Sequence, residues 1–214
     1  MSSDILIPAA KHSVELRIKN SRFIGTIGPA FSVSAAKQFI RDINQLYSDA
    51  THNVPVYQIG AGASIIAHSS DNGEPSGTAG RPALAVLKGS GLGDTVLVIT
   101  RYFGGTKLGT GGLVKAYSDA ARAAINEVPK AKRILVDRCQ ITSPYKLYEQ
   151  VLRILSKHDC TVIHEDFSQV VDIQFTIPAG LKEILTFKIS EISNGQINVH
   201  TLEANKIAIL PVKS

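Results

Sequence analysis

The sequence predicts a two-domain α/β protein, of the α+β kind, and three observations lead there. Segments with the two-residue period of a half-buried strand alternate with segments of helical period. A charged stretch containing Pro129, Glu127–Arg133, lies where the charge balance of the chain changes, which marks a domain boundary. The segment after it reads βαββαβ, the ferredoxin-like order. The expected domains are residues 1–130 and 134–214. A chain of 214 residues that is 44% hydrophobic has enough apolar side chains for one or two ordinary cores.

Taken in order, Val14, Leu16, Ile18 and then Phe23, Gly25, Ile27 predict two strands joined at Lys19 to Ser21. Ala35, Phe39, Ile43 and Leu46 recur at helical spacing behind a serine suited to cap a first turn, predicting a helix from Ser34 to about Tyr47. Val54–Ile59 and Ser64–His68 read as a second pair of strands around Gly60 and Gly62. Turn formers then fill Asp71 to Gly80, which predicts a loop. Pro82 suits the first position of a short helix to about Lys88, where its missing N–H costs nothing. Val96–Ile99 is a continuous run typical of a strand buried on both faces. It leads into a glycine loop and then a helix marked by Leu113, Ala116, Tyr117, Ala120, Ala121 and Ala124.

The second segment reads as a strand Ile134–Thr142, a helix Tyr145–Lys157, strands Cys160–Glu165 and Val170–Ile177, a helix Ala179–Ile192 and a strand Ile197–Ile209. The longest apolar runs are strand-sized, far short of the roughly 20 residues of a membrane span. Charged residues from Asp4 to Arg22 leave no room for the h-region of a secretory signal, so a cytoplasmic protein is expected. Cys139 and Cys160 lack CxxC spacing and read as small core hydrophobes. Six scattered histidines without HxH or HxxxH pairs predict no metal site and no cofactor.

Net charge is uneven. Residues 1–136 carry 15 Lys and Arg against 9 Asp and Glu, a surplus of +6, whereas residues 137–214 carry 8 against 9, a balance of −1. A basic first domain attracts phosphate polyanions, and RNA is the abundant one.

Two loops hold the residue types of a binding site. Gly104, Gly105, Gly109, Gly111 and Gly112 allow backbone N–H groups to approach a ligand ahead of a helix, whose positive end favours anions. Arg101, Lys107 and Lys115 flank them. The loop is neither a Walker A motif, since Leu108 follows Lys107, nor a GxGxxG fingerprint, since Val114 follows at the decisive position. In the other loop Asp71 and Glu74 stand beside Ser76, Thr78 and Arg81. Acid and hydroxyl groups there suit Mg²⁺ coordination or proton transfer, or else the closing of a turn and the capping of the next helix. No GxSxG motif or other nucleophile–base ordering stands out. His52 reads as a capping or partly buried histidine.

The segments Asp71–Pro82 (DNGEPSGTAGRP) and Arg101–Tyr117 (RYFGGTKLGTGGLVKAY), with Ser21-Arg22-Phe23 and Ala50-Thr51-His52, resemble the signatures of the IMPACT/YigZ family. The likeness covers residues 15–125 strongly and the second domain more diffusely. It implies a first domain like domain 2 of ribosomal protein S5 and a second like domain V of elongation factor G. Eukaryotic members regulate translation by competing for the ribosome-associated activator of a kinase acting on initiation factor two. The resemblance therefore implies RNA, the ribosome or a translation factor as partner, contacted through Arg81, Arg101, Lys107 and Lys115. The alternative is a phosphate- or nucleotide-binding enzyme in which Gly104–Gly112 cradles the phosphate while Asp71 and Glu74 hold a metal or a proton. The chain departs from the family pattern at Asn53-Val54, where a cysteine near the histidine is expected.

Overall fold

A computed structural model describes residues 4–60 and 65–212. The opening hairpin is β2 (His12–Ile18) and β3 (Ser21–Pro29), with Lys19 and Asn20 as its turn and Lys19 at φ 52°. A short strand, β1 (Ile5–Pro8), precedes it and was not expected from the sequence, because four residues are too few to establish a period. It neighbours β7 (Lys130–Ser143), and Ile5, Ile7 and Ala131 are buried together.

Helix α1 (Val33–Leu46) starts where an oxygen is available to cap it: Ser32 Oγ accepts from the Ala35 N–H at 3.1 Å. The second pair of strands is β4 (His52–Ile59) and β5 (Ile66–Ser69). Part of the expected strand Ser64–His68, together with Gly62, lies outside the described residues. Strand β6 (Thr95–Tyr102) is buried from Thr95 to Arg101. It sits in the middle of the sheet, whose order is β2-β3-β6-β4-β5.

Helix α2 runs Gly80–Gly89 and α3 runs Gly109–Glu127. Pro82 is therefore the third helical residue and not the first, a position still within the turn whose N–H groups lack helical partners. The glycine loop is also shorter than expected: Gly109, Gly111 and Gly112 belong to the first turn of α3.

Alternation along the strands sends side chains to two layers. Leu97 and Ile99 face a core with Ala83 and Leu87 of α2 and Ala116, Tyr117 and Ala120 of α3. Val96, Tyr57 and Ile59 face Ala36, Phe39 and Ile40 of α1. The N-terminal sheet is thus covered by helices on both sides, as its continuous apolar strand requires.

The chain divides into two compact units whose main segments are Ile5–Lys132 and Arg133–Leu210. The second contains most of β7, α4 (Tyr145–Lys157), β8 (Thr161–Phe167), β9 (Val171–Pro178), α5 (Lys182–Ser193) and β10 (His200–Pro211). Its strands run β10-β7-β9-β8, so the two central strands are the first and third of the βαββαβ series. Cys139, Ile141, Ile173, Phe175, Val151, Leu155, Leu185 and Ile189 form its core. Arg138, Gln140 and Gln174 join by side-chain hydrogen bonds across β7 and β9, on the other face of these strands. Strand β7 begins at Lys130, directly after Pro129 and four residues before the expected start; proline cannot continue helix α3. Among the described residues no helix is long and apolar enough to cross a membrane. The two-domain α/β architecture is as the sequence predicts.

Replacing Ser32 with Ala leaves an N–H of α1 without its cap. The expected loss is about 1 kcal/mol, read as a lower urea midpoint with an unchanged slope.

Candidate functional site

The register of the sheet aligns the first components. Arg101 on β6 is the cross-strand partner of His52 on β4 and of Phe23 on β3. Arg101 continues the face of Leu97 and Ile99, the face covered by α3, so a cation stands where the strand pattern calls for an apolar residue. It is only 5% exposed. Burying a guanidinium demands a partner, and the Asp71–Gly80 loop supplies it.

Glu74, its side chain 2% exposed, receives a hydrogen bond from Arg101 Nη1 at 2.6 Å on Oε1. The Tyr117 hydroxyl donates to the same oxygen at 2.8 Å. Burial, reinforced by the Glu74 charge, pushes the Tyr117 phenol far above its ordinary pKa, so it stays a donor. The Arg101 guanidinium also lies 5.5 Å from the ring centroids of both Phe23 and Phe103. His52 Nδ1 is 3.0 Å from the carbonyl oxygen of Asn72, which only accepts, so this nitrogen carries the proton. The other ring nitrogen, Nε2, faces Glu74, 3.9 Å from Oε2.

Asp71 has a different task. Its Oδ2 accepts from the Gly77 N–H at 2.7 Å, and Oδ1 accepts from Ala79 at 3.1 Å and Gly80 at 2.8 Å. Burial alone would raise its pKa, but these three hydrogen bonds and the Arg81 charge outweigh it and hold the carboxyl below the ordinary range. The Asp71/Glu74 pairing suggested for Mg²⁺ or proton transfer is therefore not formed. One carboxylate closes the loop onto the start of α2, while the other neutralises Arg101. Thr78 Oγ1 donates to the Pro75 carbonyl at 2.7 Å, again closing the turn, and Ser76 is exposed.

The two loops share one cleft. A cavity of about 380 Å³ is lined by His52, Glu74, Arg101, Phe103, Lys107 and Gly109, among others. Arg81 is exposed in a separate groove between α2 and α3, and Lys115 lies with Lys19 and Asp119 beside another depression. Gly104 is required by close packing, since a Cβ there would lie 1.8 Å from the Asn20 carbonyl oxygen. Gly105 and Gly109 take φ of 80° and 75°. Arg101, expected on the contact surface, is instead buried against Glu74, so it cannot be a surface contact for a polyanion.

In the sequence Tyr117 stands only as a helix marker and His52 as a capping or partly buried histidine; His52 is partly buried. The signal for Tyr117 was present: an aromatic hydroxyl on the buried stripe of a helix needs a hydrogen-bond partner. His52 becomes visible only through its register opposite Arg101.

Glu74→Ala leaves the guanidinium buried without its counter-ion and is expected to cost about 3–5 kcal/mol. Adding Arg101→Met should recover most of that loss, both read by urea denaturation. For Asp71, a folded pKa below the unfolded value of about 3.9 gives stability that is present above that value and lost as pH falls through the folded one. Asp71→Asn should lower stability at pH 7 and flatten the decline below about pH 4, followed by thermal melts across pH.

Comparison with known proteins places this cleft inside a shared domain. The Impact N-terminal domain profile matches residues 19–125, half of the chain, and a profile for a domain of unknown function, DUF1949, matches residues 141–196. The IMPACT family member YigZ of Escherichia coli (strain K12) is 34% identical over 199 residues, covering 92% of this chain and 98% of that protein. The IMPACT family member YvyE of Bacillus subtilis (strain 168) is 32% identical over 185 residues, 86% and 85% of the two chains. A crystal structure titled only as that of a hypothetical protein superposes with a TM-score of 0.62 at 32% identity, over 95% of this chain and 99% of that one. With a matching family domain over half its length and a relative above 30% identity along nearly all of it, this chain belongs to the IMPACT family.

Proposed function

We propose that this protein is a translation-linked regulatory or binding protein whose basic N-terminal unit contacts RNA, the ribosome or a translation factor. The observation that carries the reading is the +6 surplus of residues 1–136 against −1 for the remainder. Its side chains are available for contact: Lys19, Arg81, Lys107, Lys115 and Arg122 are all exposed or at the surface of the grooves beside α3. Long, exposed cations on one structural unit suit a phosphate backbone, to which they add affinity without reading sequence. Family membership supports the translation link.

The C-terminal unit supports the contact poorly. The face of its central strands away from the core carries Arg138, Gln140 and Gln174, amide and guanidinium groups already hydrogen-bonded to one another, where a base-stacking sheet presents aromatic rings. Binding is therefore assigned to the first unit.

Co-sedimentation with ribosomes and with purified rRNA across a salt series tests this reading. Affinity is expected to fall linearly with the logarithm of salt, by about 0.7–0.9 in slope per phosphate contact. The double variant Lys107→Glu/Lys115→Glu, at two exposed positions, should reduce it at least tenfold without changing the melting temperature. Binding that is flat with salt, or absent throughout, would overturn the proposal.

A further inference from the structure

The guanidinium of Arg101 is held but not fully used. Its Nη1 bonds Glu74, and Glu74 is itself fixed by Tyr117, while Phe23 and Phe103 bracket the group at 5.5 Å. The residue is 5% exposed, yet its Nε–H has no hydrogen-bond partner among the described residues. Buried donors are almost always paired, so an unpaired one on a side chain lining a cavity calls for an acceptor. Nε shares a guanidinium edge with Nη2, and such an edge can hold an oxyanion with two parallel hydrogen bonds once a small side-chain shift uncovers Nε, which is sealed here.

The same cavity includes the start of α3, a helix of 19 residues. No side chain caps it, and no acidic residue lies in its first turn. The glycines there leave the surface uncrowded: a Cβ at Gly109 or Gly111 would meet nothing within 4 Å. Lys107 stands on the rim. Glu74 is the carboxylate lining this cavity; its charge is matched by Arg101, so Lys107 and the helix terminus set the preference for an anion. Pro75, Phe103, Leu108 and Leu113 supply an apolar stretch of the wall. A volume of about 380 Å³ is in the range of small-molecule sites.

We propose that this cavity binds a phosphate monoester, its phosphate against the first turn of α3, Lys107 and the guanidinium of Arg101, and its body against the apolar wall. The site shares Lys107 with the basic exterior, while Arg101 and the start of α3 belong to the cleft alone. Two sources share this chemistry, a free nucleoside monophosphate and the 5′-phosphorylated end of an RNA.

The test is titration calorimetry on the full chain with AMP and adenosine, and with one short oligoribonucleotide bearing either a 5′-phosphate or a 5′-hydroxyl. Lys107→Glu changes an exposed side chain, and Gly111→Asp places a carboxylate in the first turn of α3 where nothing obstructs it and φ is not positive. Both should fold, as checked by melting curves, and each should weaken phosphate-dependent binding at least tenfold. AMP binding without adenosine binding identifies the free nucleotide as a ligand. A preference confined to the 5′-phosphorylated oligonucleotide identifies the RNA end. If neither phosphorylated probe binds better than its dephosphorylated counterpart, or if both variants bind undiminished, the proposal fails. Gly111→Asp leaves every exterior cation in place, so loss of phosphate-dependent binding in that variant with unchanged ribosome co-sedimentation separates the two readings.

Discussion

The N-terminal unit is organised around one buried ion pair, Arg101 with Glu74. A guanidinium at the end of the central strand β6, under α3, is tolerable only with a carboxylate in hydrogen-bond contact. That requirement dictates the path of the Asp71–Gly80 loop, which has to deliver Glu74 to this point. Asp71 enables it by gathering the N–H groups of Gly77, Ala79 and Gly80 into a tight turn. Tyr117 then ties α3 to the pair, and His52 completes the row from β4. An aliphatic cluster would have packed the same space with a smaller desolvation cost. The polar arrangement fixes four elements at defined positions, which is what a site needs of its supporting residues.

Charge and position divide the work within the N-terminal unit. The exposed cations of the first unit act over a distance set by salt, about 8–10 Å under ordinary conditions. Arg101 acts only on what enters the cleft. A surface variant and a cleft variant therefore separate long-range attraction from local recognition, although Lys107 contributes to both.

Much of the architecture was legible in the sequence because it rests on local periodicity. The run Val96–Ile99 announced a strand buried on both faces, and β6 is the middle strand with α1 on one side and α2 and α3 on the other. The order βαββαβ was readable for the same reason. Strand β1 was not, since its four residues are stabilised by neighbours distant in sequence. At the site, the two loops were legible as unusual compositions, but not the role of each residue. Asp71 and Glu74 are chemically alike and three positions apart. Only the tertiary structure shows one bonded to backbone amides and the other to Arg101. The convergence of both loops on His52 depends on cross-strand register, which no local pattern encodes.

Gly104 has a consequence for how the molecule can be altered. Its backbone passes so near Asn20 that no side chain fits between them, its N–H reaches Ser21 Oγ at 3.3 Å, and Asn20 also reaches Thr106 at 3.4 Å. The two-residue turn of the opening hairpin thereby acts as a template against which the Phe103–Leu108 loop is moulded. A label, an epitope or one extra residue engineered into that surface turn would be transmitted to the cleft wall, so the turn is a steric handle on the cleft rather than a neutral site for modification.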